Sequence, residues 1–360
     1  SFSGLLGDQL KPTYSWKSID WSKPHPNSPE NTTKSLFITD ESVKRQIVKS
    51  KKSAAAGPDG IPMEAFSIAR DILAGPLTAL YNLVNQTGDV PKCFRTARVK
   101  MLYKKGEKCD MLNYRPLSMS NHIGKIWERL INCALTDHLE VNGLLSNNQH
   151  GFRRSRGTTT NLSMLWEHIM NKVENQGALV EMWNFDLTKA FDMLEHAKAL
   201  DLLHGSGIYG QFGLVIQNWL TKRTQTVEVG SSKSEERVVG CSCVQGSVLG
   251  PTLWLLYIQS LTTILDRLGV EYMAYADDLS IYQRISTEEE KKRFEDILKI
   301  LQIWSKDYGM NWSPLKTQRM VFKYQNLREP HPPFEITFGG KNIPPLTSTC
   351  ISLGVLFDKN

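Results

Sequence analysis

Apolar residues recur at helical spacing over several long stretches of the chain. Behind the cap-like Thr39, the residues Val43, Ile47 and Val48 begin this pattern. The same spacing predicts helices over residues 64–86, 121–141, 158–175, 197–203, 212–220, 251–268 and 288–308. We expect an interruption of the first of these helices at Gly75-Pro76, because proline has no N–H to donate to the preceding turn.

Short apolar runs between these helices predict strands. They cover residues 97–103, 180–185, 224–229, 236–240 and 351–357. Residues 273–282 form two short apolar arms around Asp277-Asp278, which predicts a hairpin with acidic residues at its tip. Since strands and helices do not alternate regularly, the predicted fold class is α+β and not a doubly wound parallel sheet.

The composition of the 360 residues is that of a packed globular protein, with 41% hydrophobic and 22% charged residues. Disordered, collagen-like and disulfide-scaffold classes are therefore excluded. The longest apolar run, 253–258, is far shorter than the ~18–20 residues of a membrane span, so we expect no membrane partner. The six cysteines lack a regular spacing, which indicates reduced thiols and an intracellular protein of the cytoplasm or nucleus.

Residues 1–39 differ in texture from the rest, because four prolines stand among serine, asparagine and threonine. This pattern predicts an extended leader or the remnant of a linker. The chain starts without methionine and stops after an apolar run, which suggests a fragment of a longer protein.

The net charge of +6 is concentrated in one segment. Residues 92–108 contain seven lysines and arginines against a single acidic residue, Glu107. Such a run is either a solvated face or a contact for a polyanion.

Two acidic motifs carry the most specific chemistry. They are Phe185-Asp186-Leu187-Thr188-Lys189-Ala190-Phe191-Asp192 and Tyr275-Ala276-Asp277-Asp278. Adjacent carboxylates between apolar arms repel each other, and a hard divalent cation would remove that penalty. A pair of Mg²⁺ ions about 3.5–4 Å apart could hold the attacking and leaving oxygens of a phosphoryl transfer.

The order of these motifs, with Gln245-Gly246-Ser247 between them and 313–317 and 352–355 after them, resembles the palm motifs of reverse transcriptases. Upstream, the segments 56–62, 113–118 and 149–153 resemble the fingers of non-LTR (LINE-type) retrotransposon enzymes. The resemblance implies a right-hand polymerase with fingers over 40–160, a palm over 161–358 with an antiparallel sheet backed by helices, and no thumb. It also implies synthesis of DNA by addition of dNTPs to a DNA primer on an RNA template.

The family assigns roles to particular positions of this chain. Asp186, Asp277 and Asp278 would be the metal ligands and catalytic carboxylates, holding two Mg²⁺ ions with Mn²⁺ as an alternative. Lys316 would protonate the leaving pyrophosphate, although Ser313 stands where an asparagine is usual. The implied dNTP contacts are Lys104, Arg115, Phe191, Gln245 and Gly246, and the implied nucleic-acid contacts are Arg153, Arg154 and Arg156.

Other interpretations stay open at this point. Phe191 can be a core residue instead of the ring that excludes ribonucleotides, and Lys316 can be a solvated lysine after a turn. The chain can be a non-catalytic nucleic-acid-binding relic, although all three acidic positions are present. A group II intron-type reverse transcriptase or an RNA-dependent RNA polymerase are the remaining enzyme alternatives.

Overall fold

A computed structural model describes residues 19–110, 113–175, 179–243, 246–284, 287–323, 337–338, 341–342 and 349–358. These residues combine helices with antiparallel-rich sheets, which agrees with the predicted α+β class. None of the helices in these ranges is long and apolar enough to cross a membrane.

The longer helices lie close to the predicted positions, whereas the short helices Lys92–Arg95 and Ala190–Met193 match no predicted helix. Their bounds are Asp40–Lys49, Met63–Ile68, Arg70–Thr87, Lys92–Arg95, His122–Val141, Thr158–Met170, Ala190–Met193, His196–Gly205, Gly210–Thr221, Gly250–Arg267 and Glu288–Asp307. A π-helical turn, Asn171–Asn175, continues the helix before it, and a 3₁₀ turn covers Pro314–Lys316.

Local sequence explains several of the helix ends. Thr39 and Thr287 each form a capping box with the residue three positions later, Ser42 and Glu290. A capping box pairs the otherwise unsatisfied N–H groups of a first turn. The helix Arg70–Thr87 ends at Gly88, whose φ of 74° suits glycine.

The predicted interruption at Gly75-Pro76 is wrong. The helical stretch is interrupted at Ala69, and Pro76 lies inside the helix Arg70–Thr87. The buried face that includes Leu77, Tyr81 and Val84 holds this helix together. Its burial outweighs the hydrogen bond that the proline cannot make.

The strands are numbered in chain order. They are β1 (Thr96–Tyr103), β2 (Tyr114–Ser120), β3 (Val180–Phe185), β4 (Thr224–Val229), β5 (Ser232–Lys233), β6 (Arg237–Val238), β7 (Tyr272–Tyr275), β8 (Asp278–Arg284), β9 (Gln318–Phe322), β10 (Thr337–Phe338), β11 (Lys341–Asn342), β12 (Thr349–Ser352) and β13 (Val355–Asp358). The predicted strands over 97–103 and 180–185 and the predicted hairpin around Asp277 are confirmed.

The described chain divides into two compact units. Unit 1 comprises residues 145–190 and those from 257 onward, and unit 2 comprises residues 19–144 and 191–256.

Unit 1 contains a four-stranded antiparallel sheet in the order β7-β8-β3-β9. Its core is built from apolar side chains that include Leu165, Ile169, Val180, Met182 and Met320. The predicted single strand over 351–357 is instead the hairpin β12–β13, turning at Leu353-Gly354 with φ of 50° and 81°. Two positive φ angles in succession are typical of the tight turn that joins antiparallel strands.

Unit 2 contains a five-stranded sheet in the order β2-β1-β4-β5, with β6 also paired to β4. The pairing of β1 with β4 is parallel, and the other pairings are antiparallel. Pro116 lies in β2, at the edge of the sheet, where its missing N–H breaks no ladder.

Part of the predicted leader packs against helices of unit 2. Residues 19–39 contain turns and no helix, and Trp21 is buried over Gly213, where its Nε1–H donates to Oε1 of Gln217 at 2.7 Å. The backbone N–H groups of Thr33 and Phe212 bond to the carbonyls of Gly207 and Lys34. Residues 1–18 lie outside the described part.

Candidate active site

Asp186 directly follows the last residue of the central strand β3. The backbone of Asp186 and of the residues after it is held by the loop that precedes β9, the neighbouring strand of β3. The N–H of Ser313 donates to the carbonyl of Asp186 at 2.8 Å, and the N–H of Thr188 donates to the carbonyl of Asn311 at 2.8 Å. Asp186 is therefore fixed at the end of β3, at the edge of the sheet where the strands end, and its half-buried side chain remains accessible.

The hairpin β7–β8 brings the second acidic motif to the same edge. Tyr275 pairs with Asp278, so Ala276 and Asp277 form a two-residue turn. Phe185 pairs with Leu279 in the β3–β8 ladder, and continuing this register by one residue puts Asp186 opposite Asp278. Residues directly opposite each other in an antiparallel pair point to the same face.

The carboxyl group of Asp278 is influenced by burial and by the two other aspartates. Removal of water from around its carboxyl group raises the pKa of Asp278 to about 6, although the residue as a whole is exposed. The negative charges of Asp277 and Asp186 raise this pKa further. The predicted convergence of two motifs that are remote along the chain is present in the structure.

Lys316 lies beside this group. Its Nζ is 3.0 Å from Oδ2 of Asp186, so the two form an ion pair. The 3₁₀ turn Pro314–Lys316 positions it, and its side chain is mostly exposed.

The donor set suits a hard divalent cation, since carboxylate oxygens are the ligands that Mg²⁺ prefers. The mutual repulsion at Asp278 would be relieved by such an ion. Within the described ranges, no three His, Cys, Asp or Glu side chains lie together so as to hold a metal ion by themselves. Asp186, Asp277 and Asp278 therefore form a candidate site that would bind the ion together with substrate oxygens.

A cavity of about 470 Å³ opens next to the carboxylates. Asp186, Asp278 and Lys316 line one part of it, and Ile351 and Leu353 of the β12–β13 hairpin line another. The cavity thus presents both charged and apolar walls.

In unit 2, the exposed face of the sheet carries predicted phosphate contacts. Leu102 pairs with Arg115, and Lys104 follows two residues after Leu102, so Lys104 and Arg115 belong to one face. Both side chains are exposed. Ala97 and Val99 point the opposite way and are buried.

Phe191 lies in the short helix Ala190–Met193. Its ring packs against Trp254, with centroids 5.3 Å apart, and its carbonyl accepts from the N–H of Cys243 at 2.8 Å. The ring is only partly buried, which leaves the prediction of a substrate contact open.

Gln245 lies outside the described residues. Gly246 has a φ of 99°, and a Cβ built there would come within 2.6 Å of the carbonyl oxygen of Ser118. Glycine is thus required at position 246 for its approach to β2, whatever contact it makes with a nucleotide.

The three arginines of the predicted nucleic-acid patch differ in their environments. Arg153 donates to the carbonyls of Ser146 and Gln149, and Arg156 donates to the side chain and carbonyl of Asn147. Arg154 is exposed. Arg153 and Arg156 therefore help to order the segment 146–149 in addition to any contact with a nucleic acid.

Two residues with a bearing on the site were missed by the sequence reasoning. Gln149 is buried and bonds to the backbone of Ala276, next to Asp277. Glu128 is buried and accepts the N–H of Val248, in the segment after Gly246. Glu128 could have been noticed as a charged residue on the apolar face of a predicted helix. Gln149 is part of the segment 149–153 that resembles the family, but the resemblance gave it no role.

Three aspartates and a lysine at the ends of neighbouring strands are residue types suited to phosphate chemistry with divalent cations. Comparison with known families agrees with that chemistry. The model of the family "Reverse transcriptase (RNA-dependent DNA polymerase)" matches residues 102–346, which is more than half of the chain. The chain belongs to the reverse transcriptase family, whose members generally use divalent metal ions.

Several relatives are retrotransposon proteins of Drosophila melanogaster. The chain is 28% identical to the RNA-directed DNA polymerase from mobile element jockey, over 79% of this chain and 32% of the relative. It is 27% identical to the probable RNA-directed DNA polymerase from transposon BS, over 72% of this chain and 29% of the relative. The putative 115 kDa protein of the type-1 retrotransposable element R1DM is 27% identical over 89% of this chain and 30% of its own length. The chain spans about a third of the length of these relatives.

Proposed function

We propose that this chain is the polymerase part of a non-LTR retrotransposon protein and synthesises DNA on an RNA template. The observation that carries the proposal is the grouping of Asp186, Asp277 and Asp278 at one edge of the unit 1 sheet. The substrates are a DNA primer, an RNA template and dNTPs, and the reaction is attack of the primer 3′-hydroxyl on the dNTP.

The three aspartates would hold two Mg²⁺ ions, with Mn²⁺ as an alternative. Bound divalent cations would stabilise the negative charge that develops on the transferring phosphoryl group. The chain's own contribution at this edge is a rigid set of oxygens, fixed by the β3–β8 register and by the backbone bond between Ser313 and Asp186.

Lys316 would protonate the leaving pyrophosphate. Its ammonium group lies 3.0 Å from Asp186, so it is already at the carboxylate edge and can exchange its partner for a phosphate oxygen. An ammonium beside phosphate is suited to a general-acid task.

In unit 2, Arg115 and Lys104 would bind the triphosphate from the exposed face that they share. A guanidinium group offers paired donors to phosphate oxygens, whereas an ammonium acts as a point charge. We therefore expect Arg115→Ala to raise the KM for dNTP more than Lys104→Ala does.

Phe191 would crowd the sugar 2′ position and select deoxynucleotides. Its packing on Trp254 supports a fixed position for the ring, and its partial exposure leaves an edge for a substrate to meet. Gln245 and Gly246 would contact the nucleotide and template, and Arg153, Arg154 and Arg156 the template backbone, with Arg154 the most exposed of the three.

The unit 1 sheet supports the assignment of a palm and the unit 2 sheet supports that of fingers. The ranges 40–160 for fingers and 161–358 for palm remain predictions. Units 1 and 2 have different bounds from these ranges, since residues 191–256 belong to unit 2.

Primer extension tests the proposed function. Mg²⁺-dependent incorporation of dNTPs on an RNA template should be abolished by Asp277→Asn and kept by Asp89→Asn, which replaces an exposed aspartate of unit 2. Template binding without incorporation would instead indicate a non-catalytic relic. Preference for ribonucleotides would indicate an RNA polymerase.

A further inference from the structure

The turn that carries Asp277 is held by one buried side chain from another segment. Gln149 is 1% exposed, and its side-chain amide bonds to both backbone groups of Ala276. Oε1 accepts the N–H of Ala276 at 2.9 Å, and Nε2 donates to the carbonyl of Ala276 at 3.2 Å. That carbonyl belongs to the peptide group that leads directly into Asp277.

The same amide also fixes its own segment. Oε1 of Gln149 accepts a second hydrogen bond, from the N–H of Gly151 at 2.8 Å. A Cβ at position 151 would lie 2.2 Å from the backbone nitrogen of Ala276, so only glycine permits this approach. Gly151 therefore lets the segment close on the turn, and Gln149 bonds it there.

Ala276 needs such support because of its backbone conformation. Its φ is 59°, in the left-handed region that residues with a Cβ rarely occupy. A conformation of this kind persists only where the surroundings over-determine it. The flanking residue Ala274 is fixed as well, since its carbonyl accepts from the N–H of His150 and its N–H donates to the carbonyl of Asn148.

We propose that Gln149 and Gly151 are positioning residues that set the place of Asp277 and Asp278 by clamping the peptide groups of Ala276. This inference rests on the proposed function, because it assigns the two residues to the metal-binding edge. Residues that orient metal ligands through hydrogen bonds typically change metal affinity or activity by about 10–100-fold when they are replaced.

Mn²⁺ titration followed by electron paramagnetic resonance tests this proposal on the whole chain without need of turnover. Gln149→Met keeps the length of the side chain and removes all three hydrogen bonds, and Gly151→Ala opposes the close approach. We expect each variant to bind Mn²⁺ at least about tenfold more weakly than wild type. In primer extension, kcat should fall and the Mg²⁺ concentration for half-maximal rate should rise, while the KM for dNTP changes less than twofold.

Asn85→Leu is the matched control. Asn85 is a buried amide in unit 2 that bonds to the carbonyl of Leu36 and to Nε1 of Trp127. This variant should lose stability without changing the Mn²⁺ affinity of the folded chain.

Two results would contradict the proposal. Wild-type Mn²⁺ affinity in folded Gln149→Met would overturn the proposal. Loss of all folding in Gln149→Met but not in Asn85→Leu would overturn it too, because Gln149 would then be a general structural residue. Asp277→Asn separates the proposed function from the proposed role of Gln149. If Asp277→Asn binds Mn²⁺ as tightly as wild type, the proposed metal site itself is wrong. If Asp277→Asn binds Mn²⁺ more weakly but Gln149→Met binds it like wild type, only the role of Gln149 is wrong.

Discussion

A buried ion pair in unit 2 allows a quantitative test of how the segment after Gly246 is held. Glu128 and Arg223 are both 0% exposed, and Oε1 of the carboxylate is 3.9 Å from Nη1 of the guanidinium. Oε2 of Glu128 accepts the N–H of Val248 at 2.8 Å, and Oε1 accepts from Nε1 of Trp219 at 3.2 Å. Glu128 thus anchors the backbone of the segment that follows Gly246.

Arg223 depends on this carboxylate. Burial lowers the pKa of Arg223, and the charge of Glu128 opposes that shift. No hydrogen-bond acceptor for Nε, Nη1 or Nη2 is found among the residues that the structure describes, and the guanidinium carbon lies 4.4 Å from the Trp219 ring centroid. The ring and Glu128 are therefore its main electrostatic partners in the described chain.

Glu128→Leu should destabilise the protein by about 3–5 kcal/mol, the usual cost of leaving a buried charge without its partner. This is a large part of a typical total stability of about 5–15 kcal/mol. The double variant Glu128→Leu/Arg223→Met removes both charges, so we expect it to be more stable than Glu128→Leu alone. It should stay below wild type, because the buried Nε1–H of Trp219 and the half-buried N–H of Val248 lose their acceptor, at up to about 1–3 kcal/mol each.

Urea unfolding followed by circular dichroism measures these differences, and hydrogen exchange at the Val248 amide measures the anchor itself. Exchange at Val248 should be faster in both variants. The control is Asp296→Asn, which breaks the exposed 2.8 Å pair with Lys299 and should cost less than about 1 kcal/mol. A Glu128→Leu chain as stable as Asp296→Asn, or a double variant less stable than Glu128→Leu, would refute this reasoning.

Three further predictions concern other parts of the chain. Because the folded pKa of Asp278 is raised to about 6 from an ordinary value near 3.8, ionisation of this group opposes folding in the absence of metal. In EDTA, wild type should therefore gain stability relative to Asp278→Asn as the pH falls from 7 to 5, and a constant difference in denaturation midpoint would contradict the pKa. Phe191→Val should lower the preference for dNTP over rNTP, measured as the ratio of kcat/KM values, by at least about tenfold, and an unchanged ratio would remove the assignment. Trp21→Ala should cost about 3–5 kcal/mol, because it empties a buried site and breaks the bond to Gln217; a loss below 1 kcal/mol in urea unfolding would show that the leader is dispensable.

The elements that sequence reasoning located well are those with a strong local pattern. The helices His122–Val141 and Glu288–Asp307 repeat apolar residues at helical spacing over many turns, so their periodicity predicts them. The helix break was misplaced at Gly75-Pro76, because the packing of a buried face outweighed a local proline. The β12–β13 hairpin was read as one strand, although Gly354 at its turn was a local signal.

For the candidate site, too, the sequence indicated some residues and not others. Motifs in the sequence singled out Asp186, Asp277, Asp278 and Lys316. The aspartates stand out because neighbouring carboxylates between apolar residues repel each other, and Lys316 stands out because its segment resembles the family. The role of Gln149 could not be predicted, because an amide clamp depends on which backbone groups another segment presents. The positive charge of Arg153 and Arg156 predicted a nucleic-acid contact, but it could not predict that their guanidinium groups bond to carbonyls of the chain itself.

The amino-acid order by itself thus determined most of the helices, several of the strands, and which side chains carry the acidic and basic chemistry. Both follow from properties of neighbouring residues, namely periodic burial and charge. Only the tertiary structure decided the strand register that sets Asp186 opposite Asp278, the left-handed turn at Ala276 and the amide that fixes it. Those features arise from contacts between residues far apart along the chain, whose energies no local pattern contains.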